Sequence, residues 1–184
     1  MFLASVGLLA GLAGTAIAQK IDDAANFNGT PRISDTQFAR EAAIGGMMEV
    51  ELGKIALQKA SNEKVKEFAQ RMVDDHSKAS DELGGIAAKE NITLPNELDA
   101  KHKAMVDRFS KMSAGPDFDR AYIADMVRDH RADIAAFEKE QDTGRNHDLT
   151  SWAGSTLPTL RDHLRMAEDA QRSAGTTTSS SLGK

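Results

Sequence analysis

Apolar residues recur at three- and four-residue spacing through most of the chain, and no stretch alternates with period two, so the pattern predicts helices and no strands. In the first segment Phe38, Ala42, Gly45, Met48, Leu52, Ile55 and Ala56 fall on one stripe. Ser34 and Gln37 match a capping box, with Ile33 and Phe38 at the staple positions, which sets the start of a helix from Asp35 to about Ala60. Ser61 and Asn62 provide the next capping signal, for a helix from Glu63 to about Glu90 with Val65, Phe68, Met72, His76 and Leu83 on its stripe. Pro95 interrupts the pattern, and a shorter amphipathic helix over 97–113 carries Leu98, His102, Met105 and Phe109. After Gly115 and Pro116, Asp117 or Asp119 is expected to cap a long helix that Gly144 stops. The last helix starts near Asp148, and Pro158 inside it is expected to produce a kink.

These elements form two long helix pairs, Asp35 to Glu90 and Asp117 to Arg172, joined by a connection that holds the short helix. The expected fold is all-α, a four-helix bundle with one crossover, occupying residues 34–172. Residues 173–184 are Ser, Thr and Gly with little else, a composition that cannot bury apolar surface and is expected to be a disordered tail.

The beginning of the chain carries a different signal. Residues 1–18 are an uncharged run rich in Ala, Gly and Leu that ends Ala16-Ile17-Ala18, the small-x-small pattern of a signal peptide cleavage site. Residues 19–33 read as a linker. Export to the periplasm or cell envelope is the expectation; because no Lys or Arg precedes the apolar run, retention as a membrane anchor is the alternative. The net charge of -5 comes from acidic and basic residues interspersed along the chain, without the basic block that would neutralise phosphates, so nucleic acid is not an expected partner. With no Cys, thiolate metal sites, disulfides and Cys nucleophiles are excluded. No phosphate-cradling Gly loop or nucleophile elbow is present.

The candidate chemistry lies in polar residues that interrupt the apolar stripes. A short phrase occurs three times: Val73-Asp74-Asp75-His76, Val127-Arg128-Asp129-His130 and Leu160-Arg161-Asp162-His163. His76 and His130 lie at stripe centres and His163 at a stripe edge. Each of the three, and Glu49 on the first helix, sits near the midpoint of a helix about 36–42 Å long at 1.5 Å per residue. Midpoints of antiparallel helices meet in one layer, and Asp133 shares the His130 face. Glu41 and His102 are expected at the surface, near helix starts.

The Met-Val-x-Asp-His phrases at Met72 to His76 and Met126 to His130, with Thr156-Leu-Pro-Thr-Leu-Arg-Asp-His163, resemble the bacterial domain-of-unknown-function 4142 family over about residues 34–171. The resemblance implies a ferritin-like, exported bundle. Di-iron members of the ferritin-like fold place a Glu three residues before each His on two helices; this chain has Val73, Val127 and Leu160 there, so a carboxylate-bridged di-iron centre is not expected. A His-rich site remains, with His76, His130 and His163 as nitrogen ligands, Glu49 as the oxygen ligand and Asp133 as its alternative. Zn or Cu is the candidate ion, and Asp75, Asp129 or Asp162 is available to orient the rings. Met48, Met72 and Met126 near this layer read as core filling.

Two functions stay open. One is an exported metal-binding or stress-related protein. The other is a non-catalytic envelope bundle, in which the same imidazoles form a buried hydrogen-bond network and the helix faces meet a second copy, another partner or the membrane surface.

Overall fold

The computed structural model describes residues 34–176, which form five helices and, among the described residues, no strand. They are α1 (Asp35–Lys59), α2 (Glu63–Lys89), α3 (Ala100–Lys111), α4 (Pro116–Thr143) and α5 (His147–Thr176). The fold class is all-α, as the periodicity predicts. The expected signal segment and linker, and all but the start of the expected tail, lie outside the described residues. No described helix is long and apolar enough to cross a membrane.

Helices α1 and α2 form one hairpin and α4 and α5 the other; α2 packs on α5, while α3 lies against α1. The stripes read from the sequence become the core: Leu52, Phe68, Met72, Phe118, Tyr122 and Met126 are all within its main cluster. Phe38, Phe137 and Trp152 make an aromatic group at the other end of the bundle, with Phe38 and Phe137 edge to face at 4.9 Å.

Several helix ends follow a chemistry that the sequence only partly reveals. Asn62 caps α2 as expected, its side chain accepting a hydrogen bond from the Lys64 backbone N–H at 2.9 Å. Asp99 caps α3, which is therefore shorter than the 97–113 expected, because the Asp99 carboxylate accepts from the His102 N–H. At the other end of α3, the Lys59 ammonium donates to the carbonyls of Ser110 and Met112, neutralising the negative end of that helix.

Neither Asp117 nor Asp119 caps α4. That position belongs to Gly115, at φ 125, followed by Pro116, whose missing N–H is no loss in a first turn. The other expected stop, Gly144, does end α4, but at φ -63, where any residue is allowed. Space dictates glycine there: a Cβ would lie 2.6 Å from both the Glu140 carbonyl oxygen and Thr150 Cγ2.

Helix α5 runs without interruption through Pro158 to Thr176. It continues four residues beyond the expected domain end at 172, since Ala174 is buried and Ser173 Oγ accepts from Asn62 Nδ2 at 3.1 Å.

Candidate metal centre

Four helices each contribute one polar residue to a buried layer: Glu49 from α1, His76 from α2, His130 from α4 and His163 from α5. All four are buried, including His163, which the periodicity puts at a stripe edge and which is only 1% exposed. The ring centroids form a nearly equilateral triangle, with His76 to His130 at 5.7 Å, His76 to His163 at 5.2 Å and His130 to His163 at 5.3 Å.

Each ring is oriented through one nitrogen. His76 Nδ1 lies 2.9 Å from Glu49 Oε2. His130 Nδ1 donates to the Met126 carbonyl at 3.0 Å, one turn earlier on its own helix, and lies 3.6 Å from Glu49 Oε1. His163 Nε2 lies 2.9 Å from Asp75 Oδ2, and the Arg71 guanidinium holds the same oxygen at 2.9 Å. Asp75 therefore orients the ring of a different helix rather than that of its chain neighbour His76. Asp129 and Asp162 do not orient rings in this way; Asp162 accepts from Arg165, and Asp129 sits beside Arg128.

What remains on each ring faces inward. His76 Nε2 is buried with no hydrogen-bond partner. His130 Nε2 and His163 Nδ1 face each other at 3.3 Å. If both rings are neutral and donate outward, to Met126 and Asp75, each presents a lone pair to the other, and the contact needs a cation between them. One nitrogen from each of the three rings lies within 4.8 Å of the other two.

Outward donation to a carboxylate or carbonyl, with the second nitrogen free, is the arrangement that fixes tautomer and aim in metal-ligating histidines. The donor set fits a transition ion that accepts imidazole nitrogen.

The electrostatics separate the members of the layer. Burial alone would push the Glu49 carboxyl up, but the three imidazoles, His76 foremost, outweigh it and hold it at about 2. For His76, burial opposes the charged form, yet Glu49 outweighs burial and raises the ring above its ordinary value. Burial lowers His130 despite Glu49, and lowers His163 to about 4 despite Asp75. Protonation of the layer is thus favoured on His76, beside the Glu49 carboxylate, and disfavoured on His130 and His163.

Asp133 is also brought to the layer, in a second grouping with Glu49 and His130 whose ligand atoms lie within 4.8 Å of one another. Burial, and then Glu49 and Asp129, push its carboxyl well above the usual range. Glu41 is exposed and His102 is held by Asp99 at 2.7 Å, both outside the layer as expected. Met72 and Met126 are fully buried core residues.

Three features of the site escape sequence reasoning. The Met126 carbonyl is one. The second is Trp152, whose indole lines a cavity of about 50 Å³ beside the imidazoles and whose Nε1 is buried without a partner. The third is the phenol of Tyr122, buried without a partner and pushed further up by burial and by Glu49. As the only Trp and the only Tyr in the chain, these two carried a weak compositional signal.

Comparisons with known proteins agree with this architecture. Two solved structures share the fold, each at 14% identity and a TM-score of 0.65. A DUF305 fragment from Deinococcus radiodurans matches over 74% of this chain and 94% of its own. A DUF305 protein from Streptomyces coelicolor, named as a candidate secreted protein, matches over 77% and 93%. Among curated proteins none matches the chain. A family model matches residues 20–170, which takes in every residue of the layer, and the chain belongs to the family described as Domain of unknown function (DUF4142).

Proposed function

We propose that this chain is an exported metal-binding protein, a ferritin-like bundle that holds one transition-metal ion, Zn or Cu, through His76, His130 and His163. The observation that carries the reading is the approach of His130 Nε2 to His163 Nδ1 at 3.3 Å with both rings oriented outward. Nitrogens bound at 2.0–2.1 Å to a tetrahedral ion lie about 3.3–3.4 Å apart, so a single ion satisfies that pair. A proton would also relieve the contact, but burial holds His163 at about 4, which leaves it neutral near pH 7. His76 supplies the third nitrogen after giving up its proton, so that metal uptake competes with protonation. Glu49 is the oxygen donor assigned to the ion, with Asp133 its alternative.

Val73, Val127 and Leu160 stand where a carboxylate-bridged iron pair would need Glu, which favours a mononuclear site. Export rests on the Ala16-Ile17-Ala18 cleavage pattern, and intact mass of exported protein lacking residues 1–18 is its test.

Calorimetric titration of protein purified without an affinity tag, using Zn, Cu and Fe(II), tests the site. We expect binding far tighter than millimolar, abolished in the His76, His130, His163 triple Ala variant once circular dichroism shows that it folds. Equal binding by parent and folded variant overturns the assignment.

A second reading has its own support, since the Asp75–His163 and Glu49–His76 contacts tie α2 to α5 and α1 to α2 with no ion, and a proton held between His163 Nδ1 and His130 Nε2 joins α4 to them. In that reading the layer fixes helix register in a non-catalytic envelope bundle, and the parent binds no metal in the same titration.

A further inference from the structure

We propose, resting on the metal-binding reading, that a divalent cation reaches the imidazoles through the groove between α1 and α4 and is handed over by a transit site formed by Glu49, His130 and Asp133.

The helices pack least tightly on that side. Helix α1 packs extensively on α2, and α4 on α5, whereas α1 and α4 meet over a smaller stretch. Between them lies a groove of about 500 Å³, bordered by Glu41 and Met48 on α1, Asp129 on α4 and the start of α3 at Lys101 and His102. The cavity of about 50 Å³ beside the imidazoles touches Glu49, His76 and His163. Ala42, Gly45, Asp133 and Phe137 line both spaces, so they form the wall between the outer groove and the inner cavity.

Size makes this wall a dehydration step. A water needs about 10–15 Å³ of such space, so the cavity takes about four waters and the groove dozens. A divalent ion with six waters fits the groove but not the cavity, and must exchange waters for protein ligands where the two meet.

Suitable ligands stand there. Among the described residues the groove is lined by four carboxyl groups, Glu41, Asp99, Asp129 and Asp133, and one ammonium, that of Lys101. Two oxygens next to the wall are buried without a hydrogen-bond partner, Glu49 Oε1 and Asp129 Oδ2. Glu49, His130 and Asp133 bring ligand atoms within 4.8 Å of one another, and His130 belongs to the imidazole triad as well. Asp133 lines both spaces, Glu49 lines the inner cavity, and His130 is the residue common to the two groupings.

The position of the sole Trp gives the readout, because Trp152 lines the inner cavity and a Cu(II) ion at the triad should quench its fluorescence. Stopped-flow mixing of the full chain with Cu(II) measures the association rate. Gly45→Phe plugs the wall; a Cβ there meets no atom within 4 Å, so the ring can extend into the open space. We expect association at least tenfold slower, with dissociation slowed in proportion and Kd unchanged. Gly85→Phe, equally open but on a separate surface groove beside Lys89 and Asp148, should leave the rate unaltered. Asp129→Asn should slow association severalfold at low salt and flatten its dependence on ionic strength. If the parent takes up copper and neither Gly45→Phe nor Asp129→Asn slows it, the route is wrong while the site stands. If the parent does not bind copper, zinc or Fe(II), the site reading fails and the route falls with it.

Discussion

The carboxylate of Asp119, in the first turn of α4, closes the start of α2 by accepting a hydrogen bond from the Asn62 backbone N–H at 3.0 Å and further bonds from Ser61. A counterpart exists at the other end of the bundle, where Asp35 in the first turn of α1 accepts from the backbone N–H groups of Arg145 and Asn146, ahead of α5. Each hairpin turn is thus held by an acidic residue from the first helix of the other hairpin, which couples the two halves by hydrogen bonds to charge. Asp119→Ala would leave these part-buried donors without their charged acceptor and should cost about 1–3 kcal/mol. Asp117→Ala, two positions away on an exposed side chain, should stay within about 0.5 kcal/mol. Urea midpoints of the two variants check this; equal midpoints would mean that water replaces Asp119 freely.

The same two residues show where sequence reading stops. Helical periodicity places every long element to within a few residues, since the stripe alone determines which face is buried. It also brings His76 and His130 to one layer, because both stand at stripe centres halfway along their helices. Asp119, by contrast, looks like a cap for its own helix, and only tertiary packing shows that its carboxylate serves another. The burial of His163 is likewise a tertiary fact: the broad face that α5 turns toward both α4 and α2 takes in residues at the edge of the stripe. Asp75 lies beside His76 in sequence but serves His163 on α5, a relation between residues 88 positions apart that no local spacing encodes.

The Glu49 and His76 pair should give the bundle a pH window. Glu49, depressed from 4.5 to about 2, contributes stability that is present above 4.5 and lost as pH falls toward 2. His76, raised above 6.5, contributes stability that is full below 6.5 and lost as pH rises through its folded value. The pair therefore stabilises most between about pH 4.5 and 6.5. Removing one partner of a buried pair costs about 3–5 kcal/mol, and Glu49→Ala should lose this much at pH 5.5 and less at pH 9. Denaturation of parent and variant at both pH values tests the window; a difference independent of pH would show that His76 stays neutral in the folded protein.

Glu140 should act in the opposite sense. Burial first, and Asp35 second, push its carboxyl from 4.5 to about 7, and its Oε1 is buried without a partner beside Gly144. The folded state prefers the neutral acid, so the contribution is full below pH 4.5 and lost as pH rises through 7. Glu140→Gln keeps the shape and cannot ionise. The variant should match the parent near pH 4.5 and melt higher than the parent at pH 8, as measured by circular dichroism. A parent that melts higher than the variant at pH 8 would show the Glu140 carboxylate to be stabilised rather than penalised.

Asp75 offers the sharpest division between a metal site and a hydrogen-bond network, because it touches His163 without facing the inner nitrogens. If a metal binds, Asp75 fixes the tautomer that leaves His163 Nδ1 free, and loss of such an orienting partner typically weakens metal affinity 10–100-fold. Asp75→Ala should therefore shift the zinc dissociation constant by that factor. Its partner Arg71 is half-exposed at 55%, so water can solvate the freed guanidinium and the loss of that pair should cost under about 1 kcal/mol. Asp75→Asn retains an oxygen acceptor toward His163 Nε2 and should recover part of the affinity. Titration of the three proteins with zinc, beside their urea midpoints, separates the two roles. Affinity that is unchanged in Asp75→Ala, with an unfolding free energy lowered by several kcal/mol, would assign Asp75 and His163 to the structural network alone.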